Sequence, residues 1–199
     1  MDKYDIKKDR RDLYAPSSRD FSEVDVPPLH CLAIDGHGDP NTSAEYRAAI
    51  EALYPVAYAL KFASKAEGRD FVVGPLEALW WADDPAAFVS REKDRWSWTA
   101  MIVQPSWVTL EMVDTAMKQK GMTGLRLLTL EEGRSVQILH HGSYDDETPT
   151  LARLHDEYMP EHGLTFNGHH HEIYLSDARR TEPAKLKTIL RQPVRAESD

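Results

Sequence analysis

The chain has 199 residues, of which 41% are hydrophobic and 29% charged, a balance typical of one folded domain of ordinary size. Its net charge of -9 argues against nucleic-acid binding as the main activity, because phosphate contacts dominate that affinity and require a basic surface. No apolar run approaches the roughly 20 residues that cross a bilayer, so we expect no membrane partner. The single cysteine, Cys31, excludes an internal disulfide bond, and with no apolar leader after Met1 we expect a cytoplasmic protein.

The first third of the chain predicts a lead-in, a strand and a long helix. Residues 1–28 are charged and contain prolines, so we expect a short helix and an extended lead-in, and the mostly apolar run 29–34 predicts a strand. Thr42 and Glu45 have the spacing of a capping box, in which both side chains satisfy amide groups at the start of a helix. We therefore expect a helix from Thr42, with Pro55 kinking or splitting it.

Two strands and a second helix are expected next. Residues 71–81 and 96–103 are rich in aromatic and β-branched side chains, which favours strands. A helix then begins at Ser106, a residue type that caps helix starts, and ends at Gly121.

The rest of the chain repeats this order. Residues 134–139 predict a strand, followed by a helix with Thr148 as its capping residue and Gly163 at its end. Strands are then expected at 170–175 and 188–194. This second series of elements therefore has the order of the first.

A shift of 104 positions relates the two halves. It matches the pairs Ile34 and Ile138, His37 and His141, Gly38 and Gly142, Ala48 and Ala152, and Tyr54 and Tyr158. We therefore predict an α+β fold of tandem βαββ repeats, with an antiparallel sheet, helices on one face and a groove on the other. The first half covers 29–105, the connecting helix 106–121 and the second half 126–195, after the lead-in 1–28.

The predicted strand 170–175 holds the strongest candidate for a binding site. Alternate residues of a strand face opposite ways, so Ile173 and Leu175 are expected to face the helices, and His170, Glu172 and Tyr174 the groove. A half-buried carboxylate needs a cation, a hydrogen-bond donor or a proton. The alternative is a structural glutamate that pairs with one of the many arginines and binds no ligand.

Tryptophans and histidines supply the other candidates. Trp80, Trp81 and Trp98 fall on neighbouring predicted strands, and their broad rings suit flat ligands and cations, although ordinary core packing explains them as well. Nine histidines occur, but adjacent strand residues diverge and no His or Cys pair has ligand spacing, so we expect no metal site. Motifs for nucleotide binding are absent, so no cofactor is expected.

Nine segments carry a resemblance that spans nearly the whole chain: Asp5–Lys8, Leu13–Ser17, Val26–Pro27, Asp35–Asn41, Pro75–Trp81, Trp98–Thr99, Gln137–Gly142, His170–Asp177 and Leu186–Val194. Together and in this order they resemble the stand-alone GyrI-like small-molecule-binding family. Related domains include effector domains of multidrug-responsive transcription activators and cyclopropanoid cyclopropyl hydrolases, which open the strained ring of DNA-alkylating compounds. The resemblance implies a tandem βαββ fold with pseudo-twofold symmetry and a central ligand cleft.

The resemblance also implies a function. It places Glu172 at the position of a buried glutamate that binds lipophilic cations among aromatic rings. We therefore expect a protein that binds flat aromatic or lipophilic cationic compounds, with Glu172 as the general base if it hydrolyses cyclopropanoid toxins. The expected ligand contacts are Trp80, Trp81, Trp98, Tyr144, His170 and Tyr174. Two alternatives stay open, namely a drug sensor or sequestering module without catalysis, and an interaction protein that modulates a topoisomerase.

Overall fold

The computed structural model describes residues 3–83 and 92–197. Two compact units divide the chain. The first combines the described parts of Met1–Asp9 with Leu29–Leu130, and the second combines Arg10–Pro28 with the described parts of Glu131–Asp199. The prediction of a mixed α+β fold with antiparallel sheet structure is confirmed. The predicted lead-in 1–28 divides between the units, and its first two residues lie outside the described part of the chain.

Both units contain helices and strands. In chain order they are α1 (Ile6–Asp9), α2 (Arg11–Tyr14), β1 (Ser22–Val26), β2 (Leu29–His37), α3 (Ala44–Ala66), β3 (Leu76–Trp81), β4 (Ser97–Gln104), α4 (Leu110–Lys120), β5 (Arg126–Leu130), β6 (Gly133–His141), α5 (Thr148–Ala152), α6 (Met159–Glu161), β7 (Leu164–Phe166), β8 (His170–Tyr174) and β9 (Lys187–Ala196). A 3₁₀ turn, Tyr144–Glu147, precedes α5, and a π-helical segment, Arg153–Tyr158, joins α5 to α6.

The strand orders of the two units correspond. In the first unit the antiparallel order is β3-β4-β2-β5, and in the second it is β8-β9-β6-β1, with β7 on the far part of β9. A shift of 104 positions carries β1 onto β5, β2 onto β6, and the first residue of α3 onto that of α5. The repeat seen in the sequence is therefore a repeat of structure. Residues 126–130, which we assigned to the second half, form β5 and pair with β2 in the first unit.

Helix α3 begins one residue later than predicted. Its capping residue is Ser43, whose hydroxyl oxygen accepts a hydrogen bond from the Tyr46 amide, so the predicted Thr42 cap is wrong. Both hydroxyl residues suit a cap chemically, and the path of the chain decides between them. Pro55 lies within α3 without dividing it, which excludes a split helix.

Two other helix starts also differ from prediction. Helix α4 begins after Thr109, which accepts a hydrogen bond from the Met112 amide, and Ser106 lies in the preceding turn. Helix α5 contains Thr148 instead of beginning after it, because a box of Ser143 and Asp146 caps the 3₁₀ turn that runs into the helix. Short polar residues are common on both sides of a helix start, so local sequence alone leaves several positions possible.

The first strand after α3 is shorter than the predicted 71–81. Strand β3 begins at Leu76, immediately after Pro75, which has no amide hydrogen to donate to a neighbouring strand. Phe71 instead makes an isolated bridge with Tyr4. The regular strand is therefore confined to the segment that carries Trp80 and Trp81.

Gly36 of β2 provides a test of packing in the first unit. A Cβ atom on Gly36 would lie 2.2 Å from ring atoms of Trp98, which is fully buried, and 2.9 Å from Glu45 Oε1. We expect Gly36→Ala to lower the free energy of unfolding by about 1–3 kcal/mol, since the indole has no room to move. Gly74→Ala is the control, because its Cβ would meet neighbours at 3.5 Å or more. Urea denaturation measures both, and equal stability of the two variants would contradict this packing.

Candidate functional site

The predicted site residues fall into two groups. Tyr144, His170, Glu172 and Tyr174 lie together in the second unit, and we call them the Glu172 cluster. Trp80, Trp81 and Trp98 lie in the first unit. Each group is positioned by its own strands.

Strand β8 places His170, Glu172 and Tyr174 on one face, as its alternation predicts. Glu172 lies opposite Leu190, and by alternation Val194 of the same strand shares the face of Leu190. Val194 packs against Leu154 of the π-helical segment. The Glu172 cluster therefore lies on the face that the helices cover. The prediction that Glu172 faces away from the helices is therefore wrong. Both faces of β8 are covered, so the apolar residues of the strand did not show which face the helices occupy.

A buried ionic network covers that opposite face. Arg191, which is fully buried, donates to Glu132 at 3.3 Å, to the Gln137 side chain at 3.1 Å and to the Leu13 carbonyl of α2 at 2.8 Å. His171 Nδ1 lies 2.9 Å from the other oxygen of Glu132. Burial alone would raise the pKa of Glu132, but His171 and Arg191 outweigh it and hold that pKa below its usual value. The network holds His171, the residue next to Glu172, and so fixes the position of β8.

Glu172 has two polar contacts in the cluster. Its Oε2 accepts a hydrogen bond of 2.7 Å from the Tyr174 hydroxyl, and its Oε1 lies 3.3 Å from His170 Nε2. Only 13% of the Glu172 side chain and 4% of the His170 side chain are exposed. In the described part of the chain no lysine or arginine forms an ion pair with Glu172, so the interpretation as an arginine-paired structural glutamate gains no support.

Tyr144 completes the cluster from the 3₁₀ turn before α5. Its ring meets the Tyr174 ring edge-on, with centroids 5.6 Å apart and planes at 76°. Burial raises the pKa of Tyr144 to about 12, and the negative charges of Glu172, Glu147 and Asp177 add to the effect. The phenol therefore stays protonated at neutral pH and can donate a hydrogen bond.

His155 belongs to the same region, and the sequence analysis missed it. Burial lowers the pKa of His155 to about 4, with a further contribution from His170. Its ring meets Phe166 of β7 edge-on at 5.0 Å. The sequence does contain a pattern that indicates burial of His155. This residue lies four positions after Leu151 and three before Tyr158, a spacing that places it on the apolar face of a helix.

The tryptophans of the first unit pack beneath α3. Trp80 and Trp98 are direct partners on β3 and β4, both are buried, and Tyr46 of α3 contacts their rings at 5.7 Å and 5.0 Å. Trp96 meets Trp80 at 5.9 Å. Trp81 lies on the opposite face of β3 and is partly buried. Core packing therefore accounts for the positions of Trp80 and Trp98.

Within residues 3–83 and 92–197, no group of three or more histidine, cysteine or acidic side chains has the arrangement that could hold a metal ion. None of the helices in this part of the chain is long and apolar enough to cross a membrane.

The pKa of His155 makes folding depend on pH. Because the folded-state value of about 4 is below the ordinary value of 6.5, the stability from the neutral ring is complete above pH 6.5 and is lost as the pH falls towards 4. The loss amounts to at most about 3 kcal/mol. We expect His155→Gln to flatten the dependence of the unfolding free energy on pH over this interval.

Urea denaturation at several pH values between 4 and 7 measures this effect. His162→Gln is the matched control, since His162 is exposed on the same helical stretch. The same slope in wild type and His155→Gln would show that His155 does not titrate in this way.

Comparison with known proteins gives a consistent result. Residues 19–195 match the family profile of the GyrI-like small molecule binding domain. A conserved protein from Listeria innocua is 38% identical, with a TM-score of 0.88 over 97% of this chain and 100% of its own. A hydrolase from Listeria innocua is 37% identical, with a TM-score of 0.87 over 98% and 100%.

A more distant structure shares the fold alone. The C-terminal domain of EcmrR is 13% identical, with a TM-score of 0.57 over 89% of this chain and 98% of that domain. No curated protein matches the chain.

Proposed function

The chain belongs to the GyrI-like small-molecule-binding family, and from that premise we propose that it binds flat aromatic or lipophilic cationic compounds at Glu172 and hydrolyses cyclopropanoid compounds there. The observation that carries the proposal is the Glu172 cluster, in which a buried carboxylate is bonded to one tyrosine hydroxyl beneath a pair of aromatic rings. A cytoplasmic location is part of the same proposal.

The charges of the region favour a cationic or electron-poor ligand. Glu172, Glu147 and Asp177 all act on Tyr144, while burial lowers the pKa of His155 to about 4 and so keeps its ring neutral near pH 7. A buried carboxylate is costly without a compensating charge or several donors. A cation near Glu172 would supply that compensation, and the edges and faces of Tyr144 and Tyr174 would contact its aromatic part.

Glu172 and Tyr144 are suited to catalyse hydrolysis of a cyclopropane ring. Glu172 would take a proton from a water molecule as the water oxygen attacks a cyclopropane carbon. The carbon–carbon bond of the strained ring breaks, and its electron pair moves into the conjugated carbonyl, which becomes a phenolate. The protonated Tyr144 would donate a hydrogen bond to the developing negative charge. The proton that Glu172 has taken then passes to the phenolate oxygen, so the product is the substrate plus one water, Glu172 is ionised again, and no further reactant is required.

The relatives supply independent support. A protein from Listeria innocua described as a hydrolase is 37% identical over essentially both full lengths. Sensing or sequestration without catalysis would use the same cluster, so product analysis must separate the two functions.

The test is turnover of a duocarmycin-type cyclopropanoid, followed by mass spectrometry. We expect wild type to return the compound one water heavier, and Glu172→Gln to reduce the rate by about 10²–10⁴-fold because the amide cannot accept the proton. Glu161→Gln is the control, since it makes the same change at an exposed glutamate of the same unit.

The possible outcomes separate the alternatives. Saturable binding with the compound recovered intact would replace hydrolysis by sequestration or sensing. Turnover by Glu172→Gln at the wild-type rate would remove Glu172 from the mechanism.

A further inference from the structure

His155 is held in an unusual piece of backbone. It lies in the π-helical segment Arg153–Tyr158, which interrupts the α-helical stretch between α5 and α6. Such wide turns are rare and occur frequently at functional sites. Leu154 is fully buried in the core of the unit, so the segment is anchored there, and the next residue, His155, packs its ring against Phe166.

The ring of His155 has a polar atom that the protein does not satisfy. Its Nε2 is buried and has no hydrogen-bond partner among residues 3–83 and 92–197. Such an atom costs a folded protein stability, because it has lost its bonds to water. Native proteins retain few of them, and those that persist call for a specific explanation, such as a catalytic or ligand-directed role. The irregular helix and the unsatisfied nitrogen are independent observations at one residue.

The position of His155 relates it to the carboxylate. His155 interacts electrostatically with His170, whose Nε2 lies 3.3 Å from Glu172 Oε1. The other oxygen, Oε2, is bonded to the Tyr174 hydroxyl. Geometry agrees with this link. The His155 ring contacts Phe166, which pairs with Val194, and Val194 shares the face of Leu190, the partner of Glu172, so His155 lies on the same face of the sheet as Glu172.

We propose that His155 is a specificity-determining residue of the Glu172 cluster, whose Nε2 accepts a hydrogen bond from an amino or hydroxyl group of a flat aromatic cation. The inference rests on the proposed function and adds a substrate class to it. Glu172 strengthens the binding of any cation, whereas His155 strengthens only the binding of a cation that carries a donor. The two residues together would select polar-substituted aromatic cations over unsubstituted ones.

A pair of probes isolates this hydrogen bond. N-methylacridinium is a flat cation without donors, and acriflavine is the same cation with two ring amino groups. We expect wild type to bind acriflavine about five- to tenfold more tightly, which is the value of one added hydrogen bond. In His155→Phe the ratio of the two dissociation constants is expected to fall to about one. In His155→Gln, whose amide oxygen can accept, part of the preference is expected to return.

Calorimetric titration gives both constants, and the ¹⁵N resonance of His155 Nε2 in wild type gives a second readout. That resonance is expected to shift with acriflavine and to stay in place with N-methylacridinium. The role of His155 would be overturned if the ratio of the two dissociation constants were unchanged in His155→Phe, or if the Nε2 resonance did not shift with acriflavine. If both probes then still bind wild type and weaken in Glu172→Gln, the proposed function stands. If neither probe binds wild type, cation binding at Glu172 fails, and this inference fails with it.

Discussion

A buried ionic network of Arg191, Glu132 and His171 determines which side chains of β8 face the helical stretch in the second unit. Breaking such a network by removing one partner leaves a charge buried without compensation, which typically costs about 3–5 kcal/mol. The network holds His171 on one face of β8. Because side chains alternate along a strand, His170 and Glu172 must then lie on the other face, beneath the helical stretch. The position of the candidate site is therefore a consequence of the ionic network behind it.

Tyr144 of the Glu172 cluster and His155 of the π-helical segment are both uncharged at neutral pH, for the same physical reason. Tyr144 stays protonated because its pKa is raised to about 12, and His155 stays neutral because its pKa is lowered to about 4. Burial is the leading cause in both cases, and it favours the uncharged form of each group. Glu172 accepts a hydrogen bond from the Tyr174 hydroxyl and lies close to His170, and the ligand that we propose for it is cationic or electron-poor.

The sequence predicted the periodic features of the fold well. Alternation placed His170, Glu172 and Tyr174 on one face, and the shift of 104 positions found in the sequence also relates β2 to β6 and the first residue of α3 to that of α5, although the predicted caps Thr42 and Thr148 do not have this spacing. These features follow from local chain geometry, because the spacing of residues along a strand or helix determines which side chains share a face.

Other features depend on packing between distant segments and could not be predicted locally. The apolar Ile173 indicated a core face, but α2 covers that face and the helical stretch covers the other, so apolar character did not distinguish them. Adjacent hydroxyl residues left the cap of α3 ambiguous, with Ser43 preferred to Thr42 in the structure. The π-helical turn that positions His155 has no signature in a single sequence. The roles of the site residues remain predictions to be tested by binding and turnover.

In the proposed function, the largely buried carboxylate of Glu172 selects for positive charge. Calorimetric binding, at pH 8, of N-methylacridinium and of neutral acridine tests this selection, because the two compounds have nearly the same shape and differ in charge. We expect the cation to bind at least about tenfold more tightly, since a close pair of buried opposite charges contributes more than about 1.4 kcal/mol. Equal binding, or tighter binding of neutral acridine, would show that Glu172 does not select for charge.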